Sequence, residues 1–169
     1  LQNRQLSELS LSDPLTGLKN RRALELTVQE WQRTASRQSS VSLLMVDVDY
    51  FKRINDAHGH PEGDRVLVNF ARQLQAGARG SDLVARYGGE EFVLWLPDAD
   101  AEAAARIAER VHKCARRVRS LAGPVTVSVG LACAVHQTGA DFLARLLKRS
   151  DEAVYRAKAL GRNCTVVSD

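Results

Sequence analysis

Hydrophobic residues recur along this chain with two periods, one typical of helices and one typical of strands. Four segments have an apolar residue at every third or fourth position, and they begin near Leu24, Val66, Ala104 and Leu143. Five shorter apolar runs have the pattern of strands, at 41–48, 83–85, 92–96, 125–131 and 164–167. This alternation predicts an α/β (α+β) fold with a central mixed five-stranded sheet flanked by helices.

Local signals make some of these predictions more specific. Asn20 precedes the first helical segment and is predicted to cap its N-terminus. The run at 41–48 is almost continuously apolar, which predicts a central strand buried on both faces. The last helical segment is predicted to form one or two helices that end at Gly161.

Two glycines followed by two acids separate the second and third strand-like runs. Gly88 and Gly89 are expected to form a tight hairpin turn, because glycine adopts positive φ without steric cost. Such a turn lets a phosphate group approach bare backbone and places the carboxylates of Glu90 and Glu91 at its edge. Because carboxylates repel phosphate, a nucleotide fits here only with a divalent cation between them. The alternative is a surface hairpin whose glutamates are solvated.

The composition is that of one ordinary globular domain. Its 169 residues are 44% hydrophobic and 26% charged, which suits one well-packed core. The longest apolar runs are far too short to cross a bilayer, and no signal peptide is apparent because 2–5 are polar. We therefore expect a cytoplasmic domain that makes no membrane contact of its own, even if N-terminal regions of a longer protein anchor it to a membrane.

The charged and reactive side chains exclude several classes of function. The net charge of +4 suits an anionic ligand. The densest basic stretch follows a helical pattern and is interpreted as a solvated face formed by Lys113, Arg116, Arg117 and Arg119. It lacks interleaved aromatic residues, so no nucleic-acid partner is expected. The isolated cysteines are predicted to be reduced and non-catalytic, and they are Cys114, Cys133 and Cys164.

A cluster of carboxylates is predicted where the first strand-like run ends. Asp47 and Asp49 are two residues apart, so both side chains point to one face of a strand. Ligand sites of α/β sheets favour the C-terminal ends of strands. Together with Glu90 and Glu91, Asp47 supplies the hard oxygen ligands that Mg²⁺ prefers. One of the two aspartates is expected instead to be a helix cap or turn residue.

Other polar residues suit a guanine nucleotide. The amide of Asn55 and the carboxylate of Asp64 can together read a purine edge, since a carboxylate accepts from both N1–H and the 2-amino group of guanine. Lys158 and Arg162 lie four residues apart near the end of the last helix, on one face, where they can hold a triphosphate. Simpler interpretations are a turn residue and a helix cap for the first pair, and helix-dipole partners for the second.

Short motifs follow one another in a characteristic order, at 13–22, 47–52, 55–56, 59–60, 63–64, 86–92, 127–130 and 157–163. In this order and spacing they resemble the GGDEF family, the catalytic domains of diguanylate cyclases, in its Gly-Gly-Glu-Glu-Phe variant. The resemblance covers 13 to about 165. It implies a fold like that of nucleotidyl cyclases and polymerase palm domains, with the GGEEF motif on a β-hairpin.

The resemblance also implies a domain organisation. Residues 13–169 are then the GGDEF domain. Residues 1–12 are mostly polar and include Leu6, Leu9 and Leu11, the pattern of the end of an incoming helix. We expect them to be the end of a linker or signalling helix that connects an N-terminal regulatory domain.

The activity implied by the resemblance is condensation of two GTP molecules into cyclic di-GMP and two pyrophosphates. Each domain would hold one GTP, so a homodimer is required, and the 3′-hydroxyl of one GTP attacks the α-phosphate of the other. By resemblance, two Mg²⁺ (or Mn²⁺) ions per GTP site bind to Asp47, the Val48 carbonyl, Glu90 and Glu91. Glu90 is also the implied base for the 3′-hydroxyl, and Lys52 would stabilise the transition-state charge.

The resemblance further implies the nucleotide contacts. Asn55 and Asp64 would bind the guanine edge, with His60 nearby. Leu18 and Leu67 would pack against the base. Lys158 and Arg162 would hold the β- and γ-phosphates. The implied substrate-binding residues are Leu18, Asn55, His60, Asp64, Leu67, Gly88, Gly89, Lys158 and Arg162.

The resemblance implies a second ligand site, formed by residues that precede the glycine pair in the sequence. Arg79 and Asp82 form an RxxD motif at the family's product-inhibition spacing before Gly88. A guanidinium group can chelate guanine and phosphate through its two-pronged geometry. Arg110 matches the family's secondary contact. These residues predict that cyclic di-GMP binds and inhibits the enzyme.

Two alternatives differ from this interpretation. In the first, the domain is a catalytically silent module that senses GTP or cyclic di-GMP, although such members usually lose the metal carboxylates that this chain retains. In the second, the nucleotide choice is altered and the product is a mixed cyclic dinucleotide. Asp64 favours guanine, because a carboxylate left unpaired opposite adenine discriminates by roughly 10⁴-fold.

Overall fold

The computed structural model describes residues 10–169. Its helices are α1 (Arg21–Thr34), α2 (Phe51–His58), α3 (His60–Gly77), α4 (Ala101–Arg117) and α5 (Phe142–Ala159). Its strands are β1 (Ser40–Val48), β2 (Leu83–Arg86), β3 (Glu91–Pro97), β4 (Arg119–Ser120), β5 (Gly123–Pro124), β6 (Val127–Val135) and β7 (Thr165–Val167). None of the helices in this range is long and apolar enough to cross a membrane.

The predicted incoming helix falls mainly outside this range. Leu6 and Leu9 lie outside the described residues. The part that the structure describes, 10–12, is not helical, and Ser12 forms a β-bridge with Lys19.

Five strands form one sheet in the order β2-β3-β1-β6-β7. All neighbours are antiparallel except β6 and β7, which are parallel. The mixed five-stranded sheet and the central position of β1 are therefore confirmed. In this register Asp47 on β1 lies opposite Glu91 on β3 and Ser128 on β6. Motif residues from three strands thus meet at one end of the sheet.

Helices cover both faces of the sheet. On one face, α3 and α4 pack against Leu44 of β1, and Phe70 of α3 lies in this cluster. On the other face, α1 and α5 pack against Leu43 and Met45, together with Leu146 of α5. Successive residues of β1 therefore enter opposite layers, which explains why its sequence is apolar without alternation.

The close approach of α5 to β6 depends on Gly130. A Cβ added at this position would lie 2.0 Å from the backbone oxygen of Ser150 and 2.7 Å from the backbone nitrogen of Val154. Only glycine leaves room for this packing. It holds the C-terminal half of α5 against the strand that borders β1.

Three local predictions are refined by the structure. Asn20 caps α1 as expected, because its side chain accepts a hydrogen bond from Ala23 N. The segment after 142 is one helix rather than two. Arg119 does not continue the basic helical face, because α4 ends at Arg117 and the buried, extended Val118 leads into the β4–β5 hairpin.

Candidate active site

The glycine pair lies in the turn of the β2–β3 hairpin, as predicted. Tyr87 N and Gly88 N both donate to the backbone oxygen of Glu91, at 2.8 and 3.2 Å. The reason proposed for the glycines is wrong, since neither Gly88 nor Gly89 has a positive φ. A Cβ on Gly88 would instead lie 2.9 Å from Oε2 of Glu91. A side chain at position 88 would therefore crowd the Glu91 carboxylate and displace it from this position.

The hairpin is braced by the segment that leads into α1. Arg86 forms a salt bridge with Asp13 at 3.2 Å and donates to the backbone oxygen of Gly89 at 2.8 Å. Arg21 donates to the backbone oxygen of Tyr87 at 2.6 Å, and its guanidinium carbon lies 4.0 Å from the centre of the Tyr87 ring. The contacts of Arg86 with Asp13 and of Arg21 with Tyr87 span more than sixty positions, and no periodic signal in the sequence indicates them. We call Asp13, Arg21 and Arg86 the hairpin brace.

We expect Asp13→Asn to lower the free energy of unfolding at neutral pH by about 1–3 kcal/mol, because the bonds that Asp13 accepts from Thr16 and Arg86 are charge-assisted. Burial raises the pKa of Asp13, but these hydrogen bonds and the Arg86 charge outweigh burial and hold it below its ordinary value. A depressed carboxyl pKa stabilises the fold above the unfolded-state pKa, and this contribution disappears as the pH falls through the folded-state pKa. Urea unfolding at pH 7 and pH 3 measures the difference.

Glu30→Gln is the matched control for this experiment. Glu30 also pairs with an arginine, Arg33, but both side chains are largely exposed, so the change should have little effect. A difference between Asp13→Asn and the parent that persists unchanged at pH 3 would contradict the role of the charge.

Asp47 is the buried member of the carboxylate cluster. Asp47 is the penultimate residue of β1 and is 7% exposed, and its carboxylate accepts a hydrogen bond from Lys158 Nζ at 3.0 Å. Burial raises the pKa of Asp47 to about 6; the Lys158 hydrogen bond and charge oppose this rise, and the charges of Glu90 and Glu91 add to it. The three carboxylates thus repel one another at the edge of the sheet, and a nearby cation relieves that repulsion.

The oxygen atoms of these carboxylates are suitable ligands for a divalent cation, but the three side chains do not converge on one point. Within residues 10–169, no group of three or more His, Cys, Asp or Glu side chains is placed to hold a metal ion. The donor set of Asp47, Glu90 and Glu91 is nevertheless that of a Mg²⁺ or Mn²⁺ site, and mutual repulsion favours a bound cation. The Val48 carbonyl belongs to the same end of β1. Metal binding by these groups stays a prediction.

Asp49 has a different environment from Asp47. It is 4% exposed and accepts hydrogen bonds from Thr126 Oγ1, Ser128 Oγ and Asn163 N. One of the two aspartates is predicted to be a helix cap or turn residue; Asp49 lies in the turn between β1 and α2, where it joins chain segments rather than capping a helix.

The residues predicted to read guanine lie on two consecutive helices. Asn55 belongs to α2, and Asp64 belongs to the first turns of α3, where it is exposed. Among the described residues, Oδ1 of Asn55 is buried without a hydrogen-bond partner. Because an unpaired buried acceptor is costly, this oxygen suits a ligand donor. His60, also exposed, begins α3 after Gly59, whose φ is 86°.

The two leucines predicted to wall the base are mainly core residues. Leu18 and Leu67 are 4% and 1% exposed and belong to the cluster beneath α3 and α4. They therefore support the α2–α3 layer, and a contact with a base stays a prediction.

The predicted phosphate ligands lie at the C-terminal end of α5. Lys158 is helical, but Arg162 lies beyond the end of α5 in a left-handed conformation with φ of 65°, so they do not share one helix face. The guanidinium carbon of Arg162 is 4.7 Å from the centre of the Tyr50 ring. Lys52 is exposed in the first turn of α2. The ends of β1 and α5 therefore bring the predicted metal and phosphate residues together.

The whole of this arrangement falls within a known family pattern. The family model described as the GGDEF domain of diguanylate cyclases matches residues 10–164. The chain belongs to the GGDEF family.

Relatives of this GGDEF domain occur among characterised proteins. The response regulator PleD of Caulobacter vibrioides is 43% identical over 166 residues, which cover 94% of this chain and 36% of PleD. The chain thus spans little more than a third of that relative.

Two solved structures share the fold. The diguanylate cyclase SiaD of Pseudomonas aeruginosa, in complex with its activator SiaC, superposes with a TM-score of 0.83 at 41% identity, covering 99% of this chain and 65% of SiaD. The GGDEF domain of DgcB from Caulobacter crescentus, in complex with c-di-GMP, superposes with a TM-score of 0.80 at 29% identity, covering 94% and 95%.

The GGDEF domain brings its predicted product-site residues together. Arg79 pairs with Asp82 at 2.8 Å, and Arg79 and Arg110 line one cavity of about 510 Å³. The hydrogen bond to Asp82 raises the pKa of Arg79, which therefore stays charged. The sequence interpretation missed Arg106 and Lys113, which line the same cavity. Their spacing of three to four residues around Arg110 was the available signal.

Proposed function

We propose that this GGDEF domain is a diguanylate cyclase, which condenses two GTP molecules into cyclic di-GMP and two pyrophosphates. The observation that carries this proposal is the retained carboxylate edge, where Asp47 lies opposite Glu91 and near Glu90. Domains that only bind nucleotides have no need for three acids beside a phosphate site. The similarity to SiaD, a named diguanylate cyclase, supports the same conclusion.

The proposed site is half of a reaction centre. One domain offers one set of guanine-reading residues on α2 and α3 and one set of phosphate ligands at the end of α5. A second GTP therefore needs a second copy of the chain, with the two nucleotides antiparallel. Control of this homodimer would fall to an N-terminal regulatory domain in the longer protein. Because GTP is a cytoplasmic substrate, synthesis would take place in the cytoplasm.

The residues of this chain would divide the chemistry among them. Asn55 and Asp64 hold the base, and Lys158 and Arg162 hold the β- and γ-phosphates. Glu90 accepts the proton of the 3′-hydroxyl as its oxygen bonds to the α-phosphorus of the other GTP and pyrophosphate leaves. Lys52 stabilises the charge that develops on the phosphate. Divalent cations held by Asp47, the Val48 carbonyl, Glu90 and Glu91 would lower the pKa of the hydroxyl and neutralise phosphate charge.

The decisive experiment measures pyrophosphate release from GTP and Mg²⁺ over a range of protein concentrations. A two-subunit site predicts a specific activity that rises with concentration and is high when the domain is fused to a dimerising coiled coil. No release from the fused dimer at any concentration would overturn the enzyme and favour a nucleotide-binding module.

We propose further that the cavity at Arg79 binds cyclic di-GMP and lowers activity. The complex of DgcB with c-di-GMP supports binding of this ligand by the fold. Asp82, whose side chain is 2% exposed, pairs with Arg79, which lines the same cavity as Arg110. A guanidinium at that position suits both a guanine edge and a phosphate.

Arg79→Ala is expected to weaken cyclic di-GMP binding by about a hundredfold and to relieve inhibition, because a two-pronged charged contact is lost. Isothermal titration calorimetry measures the affinity, and inhibition is followed during turnover. Arg117→Ala is the control, since Arg117 lies on α4, as Arg110 does, but outside this cavity. Equal affinities of Arg79→Ala and the parent would refute the product site.

A further inference from the structure

Asp49 joins three segments of the chain beside the proposed phosphate ligands. Its Oδ1 accepts from Ser128 Oγ at 2.6 Å, and its Oδ2 accepts from Thr126 Oγ1 at 2.7 Å and from Asn163 N at 3.0 Å. The backbone N–H of Asp49 also donates to the oxygen of Thr126 at 2.9 Å. The end of β1, the start of β6 and the turn after α5 therefore meet at one buried carboxylate.

The turn held by Asp49 has an unfavourable backbone. Gly161, Arg162 and Asn163 have φ of 111°, 65° and 49°, three left-handed residues in succession. Glycine adopts this conformation freely, but a side chain with a Cβ does not. Two consecutive non-glycine residues in this region persist only where surrounding contacts hold them. The hydrogen bond from Asn163 N to Asp49 is such a contact.

The conformation of this turn decides where Arg162 projects. Arg162 N donates to the oxygen of Ala157 at 3.0 Å, which closes the end of α5. One residue later, Asn163 N is fixed by Asp49. Between these two anchors, the guanidinium of Arg162 lies over the ring of Tyr50, the residue that follows Asp49. Residues 49 and 50 thus hold residues 162 and 163.

We propose that Asp49 is a positioning residue for the triphosphate of GTP. By accepting the Asn163 N–H, its carboxylate holds the left-handed turn that carries Arg162 beside the end of β1. Asp49 itself does not touch the nucleotide. This role rests on the proposed function, because it assigns Arg162 to the terminal phosphates.

The test compares two nucleotides that differ in the presence of the β- and γ-phosphates, which Lys158 and Arg162 would hold. These are GMP and a GTP analogue with a non-cleavable α–β linkage, titrated by calorimetry. In Asp49→Ala, the dissociation constant of the analogue should rise about tenfold, whereas that of GMP should stay within about twofold of the parent. A loss of fold would weaken both nucleotides together. Asp49→Asn keeps one amide oxygen for Asn163 N and should restore analogue binding to within about threefold.

Ser128→Ala is the matched control. It removes the donor to the other carboxylate oxygen in the same buried site and leaves the bond to Asn163 in place. It should therefore lower the melting temperature while leaving analogue affinity close to that of the parent. If Asp49→Ala does not fold, Asp49→Ser takes its place, since its shorter side chain does not reach Asn163.

The outcomes separate this role from the proposed function. Equal weakening of GMP and the analogue in Asp49→Ala would show that Asp49 only supports the fold. Unchanged analogue affinity would show that the turn needs no such anchor. A parent protein that binds neither nucleotide would overturn the GTP site itself, independently of Asp49.

Discussion

Glu90→Gln is expected to reduce cyclic di-GMP synthesis by about a thousandfold or more while the fold is retained. Glutamine is nearly isosteric with glutamate, but it neither accepts the proton of the 3′-hydroxyl nor supplies a charged metal ligand. Glu90 lies in the β2–β3 hairpin turn, half-buried and outside both core clusters, so stability depends little on it. Product formation is measured by chromatography, and the fold by circular dichroism and thermal unfolding.

Glu91→Gln separates the two glutamates. Both variants should bind Mn²⁺ more weakly, but Glu91→Gln keeps the proposed base, so saturating Mn²⁺ should restore part of its activity and none of that of Glu90→Gln. Glu152→Gln, an exposed residue of α5, should behave like the parent. Near-normal turnover of Glu90→Gln would remove Glu90 from the role of base.

The secondary structure was largely predictable because the hydrophobic period depends on local geometry and burial. The unbroken run at 41–48 predicted a central strand, and β1 is paired on both sides and packed on both faces. The β4–β5 hairpin was missed because strands of two residues leave no period to detect.

The site was predictable mainly through the order of its motifs, since its chemistry depends on long-range contacts. Asp47 and Asp49 are indistinguishable by spacing, yet Asp47 meets Lys158 and Asp49 meets Asn163, partners more than a hundred residues away. Likewise, no local rule indicates that Arg162 adopts a left-handed conformation beyond the helix. The spacing of apolar side chains shows which face of a helix or strand is buried, but it does not show which distant residues that helix or strand contacts.

Gly63 shows the same limit, because its importance lies in a contact with another helix. It occupies the first turns of α3, next to Asp64, and faces Asn55 of α2. A Cβ at this position would lie 1.9 Å from Oδ1 of Asn55 and 3.0 Å from Cζ of Phe51. The clash is with the end of a side chain, which can turn, whereas the clash at Gly130 is with backbone. Alanine at 63 should therefore displace the Asn55 amide rather than unfold the protein.

Gly63→Ala is consequently expected to raise the KM for GTP by about ten- to a hundredfold, because the displaced amide no longer meets the guanine edge. The free energy of unfolding should change by only about 1 kcal/mol, since the higher helix propensity of alanine offsets part of the strain. Steady-state kinetics and urea unfolding measure the two quantities.

Gly77→Ala is the matched control, because this glycine ends the same helix with no atom within 4 Å of an added Cβ. If displacement of Asn55 is the cause, combining Gly63→Ala with Asn55→Ala should add little to either change alone. A parent-like KM in Gly63→Ala, or fully additive effects in the double variant, would exclude Asn55 as the group that this glycine protects.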